Sequence, residues 1–369
     1  MLLITSVDEY LGHCITSHLS QFHSLRLQIR ALIHKTDATA IPSSVLNFSK
    51  KGIDVCAVDY MHANDLSKAF RNIEQMILVI NGHEDRVQHC QHLCQAAIRS
   101  GVRSIVLLSH IGANSEQHIA LHDYGCIETY LVQQQQISRQ PSFQWTIIRL
   151  DWIQQYFHLW ACQVESKRTL ELPLAYDTGI CPVDISDICH VVTSLLTQKK
   201  DQNIILVDLD DKHSTQLYTL TGSEPVTSKD LIQILIDATQ YNKMTYKLVR
   251  PMDTSFYLRN LGHNIWFDER IKKEKSRIFF DDLDNTCAYR QNILNIPSGN
   301  NDDFVECYLL TLIRIADVQI QTFLDYFDWV SKTYGSFPID DIRHLMTGKE
   351  PKSIKQYFVE NSNSFKPRV

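Results

Sequence analysis

Through the first 150 residues, short apolar runs alternate with stretches whose apolar residues recur at helical spacing. Leu2–Thr5, Leu27–Ile33, Val55–Val58, Met76–Ile80, Ser104–Ser109 and Trp145–Arg149 read as six strands. Helical stretches lie between them, from Gly12 to Leu19 and over Asp65–Asn72 and Asp85–Ser100. Strands apolar on both faces and separated by helices predict a parallel sheet covered on both sides. Residues 1–150 are therefore expected to form a Rossmann-type, doubly wound α/β domain. A ligand on such a sheet binds beyond the strand C-termini, near the point where the strand order reverses.

The pattern loosens after residue 150. Val183–Leu196 reads as a helix opened by Asp184 or Ser186, and Ile204–Asp208 as a strand. Thr227-Ser228-Lys229-Asp230 has the form of a capping box leading into an apolar stripe at Leu231, Leu235 and Ala238. Residues 264–316 lack punctuation and read as an insertion. Beyond them Ile320, Phe323, Phe327, Val330 and Tyr334 repeat at helical spacing until Gly335. The expectation is a second, smaller α/β domain over 151–369, assembled from C-terminal segments, with 183–210 returning to the first domain.

Composition narrows the class without naming a function. With 369 residues, 44% hydrophobic and 21% charged, the chain suits one large or two interlocked globular domains. A net charge of −6 argues against direct nucleic-acid binding. No apolar run is long enough to span a membrane. Ten cysteines without paired spacing, and no secretory leader, suggest free thiols in the cytoplasm or nucleus.

Candidate chemistry begins at the first strand–turn–helix, Thr5-Ser6-Val7-Asp8-Glu9-Tyr10-Leu11-Gly12. A dinucleotide loop needs glycines so that the backbone can turn tightly and approach the pyrophosphate. Only Gly12 is in place; Ser6 and Glu9 stand at the other two glycine positions. Asp8 and Glu9 either face the pyrophosphate or point to solvent. In the first case each like-charge contact costs roughly 1 to 4 kcal/mol. The helix N-terminus offsets about 1 kcal/mol of that.

Ser6, Asp8, Tyr10, Leu11 and Gly12 are thus the candidate phosphate contacts. His34-Lys35 ends strand two, where a cation favours the 2′-phosphate of NADP; a solvated strand end is the alternative. Asp59-Tyr60 ends strand three and is placed to flank an adenine. Asn81-Gly82 ends strand four.

The ordered blocks Ile29–His34, Val58-Asp59, Ile105–Ser109, Trp145–Arg149, Pro182–Ile188, Tyr218–Gly222 and Thr347–Ser353 resemble the NmrA-like family of atypical short-chain dehydrogenases. The resemblance covers nearly the whole chain apart from 264–316. It implies a Rossmann domain and a smaller domain, with substrate or nicotinamide in the cleft between them. It also implies NADP(H) as cofactor, here bound weakly or not at all. Members include NADPH-dependent quinone and azo reductases and non-catalytic redox sensors that act through a protein partner. Two departures stand out: the missing loop glycines, and Leu150-Asp151 where a proline usually follows the strand-six arginine.

The wider superfamily uses a tyrosine acid with a lysine four residues later. The corresponding positions here are Tyr124 and Glu128, and a carboxylate beside the phenol would raise its pKa. Ser109 is placed to hold a substrate oxygen. His118 and His122 precede Tyr124; either could donate a proton, with simple solvation as the alternative. His89, Cys90, His92 and Cys94 have metal-ligand chemistry, but Cys90 and Cys94 continue the apolar stripe Val87, Cys90, Cys94, Ala97, so core packing is expected. Asp184 and Asp187 read as helix caps. Three functions remain open: a non-catalytic regulator or ligand sensor, an NADPH-dependent reductase of an activated small acceptor, and a protein-interaction scaffold.

Overall fold

The computed structural model describes residues 1–35, 41–137, 143–197, 205, 208–261, 315–346 and 348–367. The expected insertion at 264–316 falls outside these apart from its last two residues, as does most of the expected strand at 204–208.

Strands β1 (Leu2–Ile4), β2 (Ile29–His34), β3 (Asp54–Val58), β4 (Gln75–Val79), β5 (Ser104–His110) and β6 (Gln144–Leu150) pair in parallel in the order β3-β2-β1-β4-β5-β6. The chain is an α/β protein with a Rossmann-like, doubly wound parallel sheet. Strand β7 (Thr169–Leu172) pairs in parallel with β9 (Thr245–Leu248) in a small second sheet, and β8 (Gln216–Leu220) flanks β6. The order reverses between β1 and β4, and both β2 and β4 pair with β1 from Leu2 onward. Strand β2 starts two residues later than its apolar run. Leu27 follows the short helix His23–Arg26 and is 79% exposed, and the ladder with β1 begins at Ile29.

Two compact units share the chain: Met1–Leu150 with Cys189–Thr219, and Asp151–Ile188 with Leu220–Val369. In the first, Leu3, Leu32, Leu78, Leu107 and Ile147 pack with Cys90, Leu93, Cys94 and Ala97 of the helix Arg86–Arg99. The thiols at 90 and 94 therefore belong to the core. In the second, Trp152 packs on Phe323, Tyr326 and Phe327 of the helix Asp317–Lys332. Ile320, Phe323, Phe327 and Val330 are buried, but Tyr334 lies beyond the helix end and is 91% exposed. The box at Thr227 and Asp230 caps the helix Ser228–Thr239 as its sequence predicts.

Candidate functional site

The C-terminal ends of β1 to β5 gather the candidate residues of the first unit. Gly12 does what the loop requires of it. A Cβ there would sit 2.3 Å from the Ser6 carbonyl oxygen, so only glycine lets the helix Tyr10–Leu19 come this close to the turn. Ser6 has φ of 52°, the left-handed conformation that glycine adopts most readily. Its hydroxyl donates to the Val79 carbonyl at 2.9 Å, as does that of Thr5, which ties the loop to β4.

The two loop carboxylates do not point freely into water. Glu9 is the N-cap residue of the helix Tyr10–Leu19, and its side chain crosses to the end of β4, where Oε1 accepts the Gly82 N–H at 2.7 Å. Burial pushes its pKa up to about 8; the Gly82 N–H and Arg86 pull it down, and Asp8 pushes it further up. Asp8 is raised to about 6, again chiefly by burial. Near neutral pH Glu9 therefore holds its proton. Neither alternative, charge against the pyrophosphate or exposure to solvent, describes Glu9: it links the turn after β1 to the end of β4, the pair between which the strand order reverses. Tyr10 is buried and Leu11 half-buried on the first turn of the helix.

At the end of β2 the pairing of two cations dissolves. His34 is half-buried, its pKa lowered by burial and by His83, so Lys35 alone supplies positive charge, from an exposed position. The His34 ring lies 4.7 Å from Tyr60 and 4.5 Å from His89. Tyr60 is fully buried, its phenol raised well above normal by burial and by Asp8. Asp59 accepts the Met61 N–H at 2.8 Å, which shapes the turn after β3. Asn81 Nδ2 meets His89 Nδ1 at 3.0 Å. Burial first, then the neighbouring imidazoles, lower His89 to about 4. His92 points away, its Nδ1 3.3 Å from the Tyr60 carbonyl.

Ser109 and Tyr124 have partners that the sequence did not indicate. The Ser109 hydroxyl donates to Glu128 Oε1 at 2.5 Å, and Arg149 grips both oxygens of Glu128 at 2.9 and 2.6 Å. Glu128 is thus neutralised by Arg149 and does not act on Tyr124. The group beside Tyr124 is Arg86, a fully buried guanidinium 5.0 Å from the ring centre that also donates to Asp123 at 2.9 Å. Burial raises the phenol's pKa while Arg86 lowers it. His110, at the end of β5, lies 5.5 Å from the Tyr124 ring and is held neutral, its pKa lowered to about 3 by burial and by Arg86. His118 is buried, its Nδ1 2.6 Å from the Ser115 hydroxyl, while His122 is exposed. Arg86 escaped sequence reading because nothing about its spacing marks it as buried.

Residues 11–156 match the family model described as NAD(P)H-binding. The chain is 22% identical over 185 residues to an NAD(P)H azoreductase from Xenophilus azovorans, covering 50% of this chain and 58% of that protein's length. Its fold resembles that of a Citrobacter sp. triphenylmethane reductase complexed with NADP(H), at TM-score 0.65 and 16% identity over 98% of this chain and 100% of the other. It also resembles an Escherichia coli NADPH-dependent quinone oxidoreductase complexed with NADPH, at TM-score 0.63 and 16% identity over 98% and 99%. The likenesses to solved structures show the fold. Among the described residues no helix is long and apolar enough to cross a membrane.

The adenosine end of a dinucleotide site, from Lys35 to Asn81, has suitable side chains. At the pyrophosphate end Glu9 occupies the Gly82 N–H.

Proposed function

We propose that this chain is a degenerate NAD(P)H-family protein that acts as a non-catalytic regulator or ligand sensor. The observation that carries this reading is the Glu9 carboxyl seated on the Gly82 N–H at the β1/β4 switch point. A dinucleotide in the usual pose must displace that bond, and the loop offers side chains where backbone alone should meet phosphate. A small ligand at the strand ends and a protein partner are the interactions this function calls for. Titration with NADPH, NADP and NAD, followed by intrinsic fluorescence or calorimetry, tests it. Affinity weaker than about micromolar is expected, with a gain in a Ser6→Gly/Glu9→Gly variant. Sub-micromolar NADPH binding by the unaltered chain overturns the reading.

A second reading, an NADP(H)-dependent reductase of an activated acceptor, is favoured by the similarity to quinone and dye reductases. Reduction of a quinone with NADPH, unchanged in Tyr124→Phe, would put this reading first.

A further inference from the structure

Three imidazoles from separate elements converge beside the loop: His34 from the end of β2, His83 after β4, and His89 from the helix Arg86–Arg99. Their ring centres lie 4.5 Å apart for His34 and His89, 4.7 Å for His83 and His89, and 5.5 Å for His34 and His83. The Asp85 carboxylate joins them. One ligand-type atom from each of His83, Asp85 and His89 lies within 4.8 Å of the others. Simple ring packing accounts poorly for the polar atoms: among the described residues, His34 Nδ1 and Asn81 Oδ1 are buried without hydrogen-bond partners.

We propose that His83, Asp85 and His89, with His34 as fourth donor, form a binding site for a zinc-class divalent transition ion. Two or three imidazoles and one carboxylate are a borderline donor set that suits zinc better than calcium or magnesium. Zinc–ligand bonds near 2.0–2.1 Å place tetrahedral donors about 3.3 Å apart, so shifts on the order of 1 Å close the spacing among His83, Asp85 and His89, and His34 must swing in from its ring contacts. Those shifts are available because the side chains of His83 and Asp85 are 40% and 64% exposed, whereas His89 is fixed in the interior.

Asn81 completes the set. Its amide oxygen and nitrogen exchange places by a simple flip. Turned over, Oδ1 accepts from His89 Nδ1–H and leaves Nε2 with its lone pair toward the ion. This is the outer hydrogen bond that orients a metal-bound histidine. Cys90 takes no part, because its thiol is committed to the core. The site depends on no dinucleotide and stands whichever reading of the fold's function holds.

The full chain, stripped with a chelator and free of nucleotide, is titrated with Zn²⁺ against a chromophoric chelator and separately with Co²⁺. One ion per chain is expected, with visible absorption typical of four-coordinate Co²⁺. His83→Ala and Asp85→Asn, both at accessible side chains, should each weaken binding tenfold or more. His122→Ala, at an exposed histidine on the helix Ile119–Ile137, should leave it unchanged. No binding at about 100 µM metal, binding indifferent to both His83→Ala and Asp85→Asn, or an equal loss in His122→Ala overturns the site.

Discussion

Each unit of this protein buries a cluster of polar side chains, and the two clusters are finished differently. In the second unit Asp184 accepts the Ser186 N–H and hydroxyl at 2.8 and 2.6 Å through one oxygen and the Gln155 amide at 2.8 Å through the other, with Lys352 Nζ 3.6 Å away. Asp187 accepts the Lys352 backbone N–H at 2.7 Å. Both carboxylates accept hydrogen bonds, and they hold the start of one helix to the C-terminal segment. In the first unit the cluster at the strand ends leaves His34 Nδ1 and Asn81 Oδ1 unsatisfied among the described residues, and keeps Glu9 and His89 far from their ordinary protonation. Buried polar atoms are costly to leave without a partner, so a protein tolerates them mainly where a partner comes from outside.

The sharpest way to break that contrast is Asp184→Ala. It strands Gln155 and Ser186 and leaves Lys352 with Glu360 alone of its two carboxylates, so a loss of about 3 to 5 kcal/mol is expected in urea unfolding. A loss below about 1 kcal/mol would show that the second cluster is not structural.

Glu9→Gln comes next and probes pH. The native carboxyl keeps its proton to about 8, while the unfolded chain releases it in the ordinary range near 4.5. Stability from this group is complete at low pH and is lost as pH rises through that interval. The variant lacks that loss, so relative to the parent it should gain roughly 2 to 4 kcal/mol between about pH 5 and pH 8.5. Denaturant midpoints at the two values measure it, and parallel curves would mean that the Glu9 proton is not held.

His34→Phe keeps a ring against Tyr60 and removes the orphaned nitrogen. Its stability should stay within about 1 kcal/mol of the parent, in either direction. A loss as large as that of Asp184→Ala would place His34 in the structural class. The smallest effect is expected of Lys35→Ala: stability within about 0.5 kcal/mol, and a few-fold fall at low salt in any preference for NADP(H) over NAD(H). An undiminished preference would move 2′-phosphate recognition elsewhere.

What the sequence by itself determined is the frame. Apolar runs of strand length, spaced by helical patterns, suffice for a parallel sheet, because such strands must be covered on both faces. Gly12 and the box at Thr227 and Asp230 were legible for a similar reason: their roles depend on neighbours a few residues away. The side-chain partnerships at the strand ends were not legible. Glu128 stands four residues from Tyr124, yet its charge is taken by Arg149, twenty-one residues on, while Tyr124 receives Arg86 from another helix. Glu9 could be seen to replace a glycine, but not to reach Gly82. His34, His83 and His89 lie on three separate elements and become neighbours only when β2 and β4 flank β1. Charge and protonation depend on contacts within a few ångströms, and in this fold the chain brings those contacts together from distant positions, which only the tertiary structure decides.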